Sequence, residues 1–252
     1  MMTYFDKDSV LYIDASSGNI WPSWDSLNDV FHAFLPPAPA AALSYPLRIV
    51  GDEHSALVEF EDTPELFGRE LRILGSITFN RRGKIARWID YWDGRSSARA
   101  TAVTASYPTD FHDSILNAAP AVKTAVTALQ NAFAAGDATT ATALFSFDAV
   151  LEDMAAHLRI RGTLQIQRYL SRALTTLPYG IGSTLAHYEG SVHGGGYEWH
   201  PGPQAAPMRR GHTAIELDSA GRISRLTAVY DSGLLSYPAY QALVLLNAEA
   251  PL

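Results

Sequence analysis

The chain repeats itself at a fixed spacing. Residues 83–93 read GKIARWIDYWD, and 138 positions later residues 221–231 read GRISRLTAVYD, without a gap. The segment 106–120, SYPTDFHDSILNAAP, recurs as SYPAYQALVLLNAEAP at 236–251. Self-similarity at a long period indicates a duplicated structural unit. The sequence therefore predicts two similar domains, with the seam between them near Pro120.

The two copies differ at their N-terminal ends. The second copy opens with residues 121–145, where apolar side chains recur at helical spacing, whereas the first has almost nothing before Asp8. We therefore predict a first domain at 1–105 that lacks its opening helices, a linker at 106–120 and a complete second domain at 121–252.

Within each copy, the predicted helices precede most of the strands. The first copy has a predicted helix at 25–35 and the second has one at 163–177. Predicted strands follow at 45–50, 54–61, 69–79 and 84–93 in the first copy, and at 183–193, 197–200, 208–217 and 222–231 in the second. Helices followed by antiparallel strands indicate the α+β class, because a parallel sheet needs alternating strands and helices.

Composition excludes several classes of function. Lys and Arg number 19 against 26 Asp and Glu, a net charge of −7 that would repel phosphate backbones, so we expect no nucleic-acid partner. The absence of Cys excludes disulfides, thiol nucleophiles and Cys-ligated zinc, and it fits a reducing cytoplasm. The N-terminus lacks a secretory pattern, and no apolar run is long enough to span a bilayer. We expect a cytoplasmic protein without membrane contact.

Short motifs stand out in both copies. The second has an Ala-Gly-Asp turn at 135–137, the pattern Phe-x-x-Asp-Ala-x-x-Glu-Asp at 145–153 and Gly162 before a helix, and the first ends in WIDYWD at 88–93. The second copy resembles the nuclear-transport-factor-2-like superfamily, in its ketosteroid-isomerase and SnoaL-like polyketide-cyclase branches. WIDYWD resembles the end of limonene-type epoxide hydrolases. The resemblance implies two cone-shaped domains, each a curved antiparallel sheet wrapped around helices, packed through their outer sheet faces as an internal pseudo-dimer.

The resemblance also implies two catalytic carboxylates. Asp153 falls where ketosteroid isomerases hold the carboxylate that moves a proton beside a carbonyl, and Asp90 where the epoxide hydrolases hold the one that takes a proton from water. An apolar cavity would raise the pKa of either group toward that of a useful base. The alternatives are that Asp153 caps a turn and that Asp90 pairs with a base such as Arg87 or Arg95.

Strand alternation supplies the substrate-binding candidates. On the last strand of the first copy, Trp88, Asp90 and Trp92 share one face. The resemblance implies that this face lines the pocket. The full set of binding candidates is Trp88, Trp92, Asp14, Thr213, Tyr230 and His157.

The chain also departs from the motifs it resembles. The oxyanion donors of the isomerases fall on Leu129 and Thr213, and the arginine of the epoxide hydrolases falls on Phe60. Leu129 cannot donate a hydrogen bond, so strict steroid isomerisation lacks its usual donors. Epoxide hydrolysis would need another arginine, such as Arg48, Arg69 or Arg72, to reach the acid.

The leading hypothesis is a cofactor-independent enzyme of small-molecule metabolism, in particular secondary metabolism. A pocket carboxylate would transfer a proton on an apolar cyclic or polyketide-like substrate in a cyclisation, isomerisation or dehydration. The histidines have no HxH or HExxH spacing, so no metal site is predicted. The alternatives are a limonene-type epoxide hydrolase and a non-catalytic binding or assembly module, and whether two molecules pair as a homodimer is open.

Overall fold

The computed structural model describes residues 1–95 and 118–248. The first half contains β1 Leu11–Asp14, β2 Asn19–Trp21, α1 Trp24–Phe34, β3 Ser44–Gly51, β4 Ser55–Asp62, α2 Pro64–Phe67, β5 Leu71–Phe79 and β6 Ile85–Tyr91. The second contains α3 Pro120–Ala135, α4 Ala138–Ala143, β7 Phe145–Asp153, β8 Leu158–Arg161, α5 Thr163–Ala173, β9 Thr184–Ser191, β10 Gly194–His200, β11 Gly211–Leu217, β12 Ile223–Val229 and α6 Tyr237–Ala248. Short 3-10 turns lie at Met2–Tyr4, Pro203–Ala205 and Ser232–Leu234.

The two halves contain sheets of the same topology. The strand orders are β2-β1-β6-β5-β4-β3 and β8-β7-β12-β11-β10-β9. This arrangement confirms the α+β class and the two similar domains that the resemblance implies. The sheets are mixed rather than antiparallel throughout, because the first strand of each half lies parallel to the last one, β1 beside β6 and β7 beside β12.

The second half begins with two helices whose boundaries follow from local chemistry. α3 ends at Gly136, which adopts the left-handed conformation with φ 71°, and Asp137 caps α4 by accepting a hydrogen bond of 2.9 Å from the Thr140 amide. In the first half, the described chain reaches β1 after only the 3-10 turn. No helix of the described ranges is both long and apolar enough to cross a membrane. Most of the predicted linker, residues 106–117, lies outside the described residues, so the domain boundaries stay a prediction.

Each sheet has an inner face, toward the helices of its own half, and an outer face, toward the other sheet. The outer faces pack together through one apolar cluster, formed by Ile13, Leu57, Leu74, Ile89 and Tyr91 of the first half with Ala214 and Val229 of the second. The halves therefore pack as the predicted internal pseudo-dimer. Because this packing buries both outer faces, a homodimer would need a different surface.

Contacts between the halves follow an approximate two-fold relation. Asp93 accepts hydrogen bonds from the amide and hydroxyl of Ser232, at 2.9 and 2.8 Å. Asp231, the repeat counterpart of Asp93, accepts one of 3.0 Å from the amide of Gly94, the counterpart of Ser232. Such reciprocal contacts are those of an isologous interface between two copies, here within one chain.

Candidate functional site

The carboxyl group of Asp90 lies on the inner face of β6 and is 5% exposed. The Tyr12 hydroxyl donates a hydrogen bond to Oδ2, and the Trp88 indole N–H donates one of 2.5 Å to Oδ1. Burial raises the pKa of Asp90 to about 8, against the lowering effect of these two donors, and the nearby charges of Asp14 and Asp62 raise it further. The group is therefore mainly protonated at neutral pH.

Strand register brings these groups together. In the parallel pair of β1 and β6, Tyr12 lies beside Trp88 and Asp14 beside Asp90. Gly75 of β5 lies opposite Asp90 on the other side. The aspartate on β6 is therefore flanked by a second carboxylate and by a residue without a side chain.

Aromatic rings cluster around Trp88, whose indole binds the Asp90 carboxyl group. Tyr12 stacks on Trp88 with ring centroids 5.8 Å apart, and Phe60 meets Trp88 edge-on at 6.3 Å. Phe5 also contacts Trp88 at 6.1 Å. These rings make the surroundings apolar, which disfavours the charged form of the acid.

Asp14 and Trp92, two of the predicted binding residues, contact each other beside this site. Asp14 Oδ1 accepts hydrogen bonds from the Trp92 indole N–H at 2.9 Å and from the Ser17 amide at 2.8 Å. Asp14 therefore caps the turn between β1 and β2 and also fixes Trp92. The structure thus places Trp88, Trp92 and Asp14 together around the Asp90 site.

Asp90 forms no ion pair with a residue that the structure describes. Arg87 lies on the outer face of the sheet and binds Glu198 of the other half. Arg95 donates hydrogen bonds to Ser232, including one of 3.1 Å from Nε to the hydroxyl. In the described part of the chain, only Tyr12 and Trp88 form side-chain hydrogen bonds with the acid.

Within the described residues, none of the arginines that could restore an epoxide-hydrolase site binds the Asp90 carboxyl group. Arg48 and Arg72 both bind Glu59 on the outer face. Arg69 contacts the Trp92 ring, at 5.5 Å, and donates a hydrogen bond of 3.3 Å to the carbonyl of Asp93. The hydrogen-bond donors around the acid are thus neutral ones.

Asp153 forms a second buried site, in the other half. Its side chain is fully buried, and Oδ2 accepts hydrogen bonds from the hydroxyls of Tyr179 and Tyr230, at 3.0 and 3.2 Å. Oδ1 accepts one of 2.8 Å from the Ala156 amide, so Asp153 also caps the turn after β7. Burial raises the pKa of Asp153 to about 6, against the lowering effect of the three donors.

Of the remaining predicted residues of the second half, Thr213 is buried and His157 is exposed, while Tyr169, which was not predicted, lies near Asp153. The Tyr169 hydroxyl is buried and has no hydrogen-bond partner in the described residues, and the charge of Asp153 helps burial to raise its pKa. Thr213 is fully buried and accepts a hydrogen bond of 3.0 Å from the Trp199 indole. His157 is exposed on the turn after β7, with φ 53°, so its side chain lies outside the buried site.

Three residues at these two candidate sites, Gly75, Tyr169 and Tyr179, are not among the residues predicted from the sequence. Gly75 could have been found by counting across the β5–β6 hairpin, because that register pairs it with Asp90. Tyr179 lies in the loop after α5, and no periodicity or motif marks it. Its contact with Asp153 depends on how that loop closes over the sheet.

Histidine and glutamate side chains meet between the two sheets rather than in either site. His187, Glu189 and Glu198 are buried there, with possible ligand atoms within 4.8 Å of one another. Glu198 already binds Arg87 and, at 2.9 Å, Arg210. Two guanidinium groups thus supply the positive charge that a metal ion would otherwise bring, and the cluster forms a buried ion-pair network.

Comparison with known proteins finds similar solved structures. No family model matches the chain, and no curated protein matches it. A steroid delta-isomerase from Pseudomonas aeruginosa is 18% identical, with a TM-score of 0.40, over 53% of this chain and 93% of its own. A SnoaL-like protein of unknown function from Burkholderia thailandensis is 14% identical, with a TM-score of 0.39, over 46% and 98%. At these identities and TM-scores, the likeness supports no argument about activity.

Proposed function

We propose that the chain is a cofactor-independent enzyme that uses the carboxyl group of Asp90 to move a proton on an apolar cyclic or polyketide-like small molecule. The supporting observation is the environment of that group. It is buried among aromatic rings, held by the neutral donors Tyr12 and Trp88, and has a pKa raised to about 8. A group with a pKa near the working pH is suited to general acid–base catalysis, because both of its protonation states are accessible.

The proposed chemistry follows from these two protonation states. The protonated Asp90 would donate its proton to a carbonyl or hydroxyl oxygen of the substrate. The ionised form would remove a proton from a carbon next to a carbonyl. Tyr12 and Trp88 would stabilise the ionised form by donating hydrogen bonds to its two oxygens. Isomerisation, cyclisation and dehydration of a ring ketone all consist of such steps.

Asp14 supports this proposal as a second carboxylate. It lies beside Asp90 across the parallel strands, and its charge helps to keep Asp90 protonated. Two neighbouring carboxyl groups with different environments are a recurring source of an acid and a base in one site. Asp90 is the member of this pair that starts the reaction protonated, because its surroundings favour the neutral form.

Asp153 is the second candidate for the same chemistry. The specific observation in its favour is the buried Tyr169 hydroxyl, which the described residues leave without a hydrogen-bond partner near Asp153. A substrate oxygen in the second half could accept that hydrogen bond. Asp153 also caps the turn after β7, as Asp14 caps the equivalent turn of the first half. This shared capping role accounts for an aspartate at position 153 without a role in catalysis.

The proposal is tested by turnover of model ketones. Wild type, Asp90→Asn and Asp153→Asn are incubated with a β,γ-unsaturated cyclic ketone and a β-hydroxy cyclic ketone, and the conjugated product is followed by ultraviolet absorbance. Exchange of the α-hydrogens in D2O, followed by NMR, detects proton transfer even without a net product. We expect Asp90→Asn to lower kcat at least about 100-fold, as for loss of a general acid–base group.

The control is Glu53→Gln, which removes a charge from an exposed side chain of the same half. We expect this variant to keep wild-type rates and Asp153→Asn to lose less than tenfold. Loss confined to Asp153→Asn would move the reaction to the second half. Equal rates in all variants, or exchange no faster than in buffer, would contradict the proposal and favour a non-catalytic binding module.

A further inference from the structure

The hydrogen bond between Trp88 and Asp90 joins two side chains that lie two residues apart on one strand. Such neighbours on the same face stand roughly 7 Å apart along the strand, because each residue rises about 3.3 Å. The indole N–H and the carboxyl oxygen are nevertheless 2.5 Å apart. Both side chains must therefore lean toward each other over an adjacent strand.

The adjacent position is Gly75 of β5. A Cβ atom at Gly75 would lie 3.0 Å from Trp88 Nε1 and 3.1 Å from Asp90 Oδ1, closer than ordinary contacts. It would also lie 3.4 Å from another atom of the indole. Gly75 thus leaves open the space in which the two groups meet. Its backbone has no positive φ, so the requirement for glycine comes from the neighbours and not from the turn of the chain.

The second half provides an internal comparison at the same positions. Thr213 lies opposite Ala228 there, as Gly75 lies opposite Asp90, and Leu226 takes the place of Trp88 in the repeat. A side chain is therefore present on β11 in the half whose last strand has no acid. The glycine, the tryptophan and the acid occur together in the first half alone.

We propose that Gly75 is a positioning residue of the Asp90 site: by lacking a side chain, it lets the Trp88 indole bend over β5 and hold the Asp90 carboxyl group in its orientation. The importance of Gly75 for activity rests on the proposed role of Asp90. The geometric role of Gly75 does not depend on that proposal. The Trp88 hydrogen bond stabilises the ionised carboxylate, so displacement of the indole by a methyl group would make Asp90 harder to ionise.

The test is to titrate Asp90 without a substrate. The pKa of Asp90 is measured from its carboxyl 13C shift in wild type, Gly75→Ala, Trp88→Phe and the double variant. In wild type and Gly75→Ala, which retain Trp88, the indole 1H–15N signal is also followed. We expect Gly75→Ala to raise the pKa by about 0.5–1 and to move the indole signal, from the loss of one hydrogen bond. Trp88→Phe should have a similar effect, and adding Gly75→Ala to it should change the pKa little further.

The control is Val58→Ala, which loosens packing on the other side of Gly75. A merely structural glycine would lower the melting temperature, as Val58→Ala should, without moving the pKa of Asp90. An unchanged pKa in folded Gly75→Ala therefore overturns the proposal. If Gly75→Ala does not fold, Trp88→Phe should rescue it, and failure of that rescue also overturns the proposal. This test measures no turnover. The proposal for Gly75 can therefore hold where the proposed activity fails, and it can fail where the proposed activity holds.

Discussion

Asp90 and Asp153 are two buried carboxyl groups that differ in their hydrogen bonds. Asp90 accepts one hydrogen bond at each oxygen, from two side chains. Asp153 accepts three, one of them from a backbone amide. Donors stabilise the ionised form against the cost of burial, whereas the charges of Asp14 and Asp62 add to that cost at Asp90, in line with pKa values of about 8 for Asp90 and about 6 for Asp153.

This difference makes the stability of the protein depend on pH through Asp90. The folded pKa of about 8 lies above the ordinary value of 3.8, so between these pH values the folded state binds more protons than the unfolded state. The free energy of unfolding therefore falls as pH rises, by at most about 1.4 kcal/mol per pH unit. Asp90→Asn removes this effect, so the variant should gain stability relative to wild type from pH 5 to 8 and no more above pH 8. Urea unfolding at pH 5 to 9 measures the difference.

Asp153→Asn is the matched comparison in the same titration series. The pH range over which Asp153 affects stability ends near pH 6, because the pKa of Asp153 in the folded state is about 6. The stability difference from wild type should therefore level off about two pH units earlier than for Asp90→Asn. A difference independent of pH in either variant would show that the acid is not held in its neutral form by the fold.

At the scale of elements, the packing of β10 against the first half depends on a glycine. A Cβ atom at Gly196 would lie 2.5 Å from Leu57 Cδ1 and 2.8 Å from both Glu189 Oε1 and His212 Nε2. Leu57 belongs to β4, so this contact crosses between the two sheets. Gly196 thus allows the close approach of the two sheets, whereas Gly194 and Gly195 face the backbone of neighbouring strands in their own sheet.

Gly196→Ala tests this close approach. Overpacking should lower the free energy of unfolding by about 1–3 kcal/mol. Leu57→Ala alone should lower it by about 2–4 kcal/mol, because a buried leucine leaves a cavity. In the double variant the new methyl group occupies part of that cavity, so the combined loss should be about 1 kcal/mol smaller than the sum. Additive losses in denaturant unfolding would contradict the contact.

Elements could be predicted from the sequence more completely than the sites. The last strand of the first half was expected at 84–93 and lies at Ile85–Tyr91, because alternation and flanking turns are local signals. The parallel pairing of β1 with β6 was missed, since it depends on which distant strands meet. The placement of Trp88 beside Asp90 follows from alternation, but the contact of Tyr179 with Asp153 joins segments 26 residues apart and has no local signal.

At the scale of the whole molecule, the duplication places equivalent ion pairs on the two outer faces. Glu59 binds Arg72 in the first half, and Glu198 binds Arg210 in the second. Arg210 is the repeat counterpart of Arg72. Each glutamate also lies opposite the same repeat position on the next strand of its sheet. Glu198 also binds Arg87 of the first half, so this ion pair links the two domains.

Glu198 should therefore decide whether the halves unfold together. It is fully buried, and although burial opposes ionisation, Arg87, His187 and Arg210 hold the pKa of Glu198 well below its usual range. Glu198→Ala takes the carboxylate away from two guanidinium groups at the interface, a change that costs about 3–5 kcal/mol. The control is Glu216→Ala, whose side chain is 37% exposed and pairs with Arg48 at the rim, where less than about 1 kcal/mol is expected.

The loss of Glu198 should separate the unfolding of the two halves, because it weakens the interface more than either core. Four of the five tryptophans lie in the first half, so fluorescence reports mainly on that half, whereas far-ultraviolet circular dichroism reports on both. In wild type and Glu216→Ala the two signals should change together with urea. In Glu198→Ala the fluorescence change should come first, because the described first half lacks counterparts of α3 and α4. Coincident transitions in Glu198→Ala would mean that the apolar packing of Ile89 and Val229, rather than the ion pair, keeps the halves cooperative.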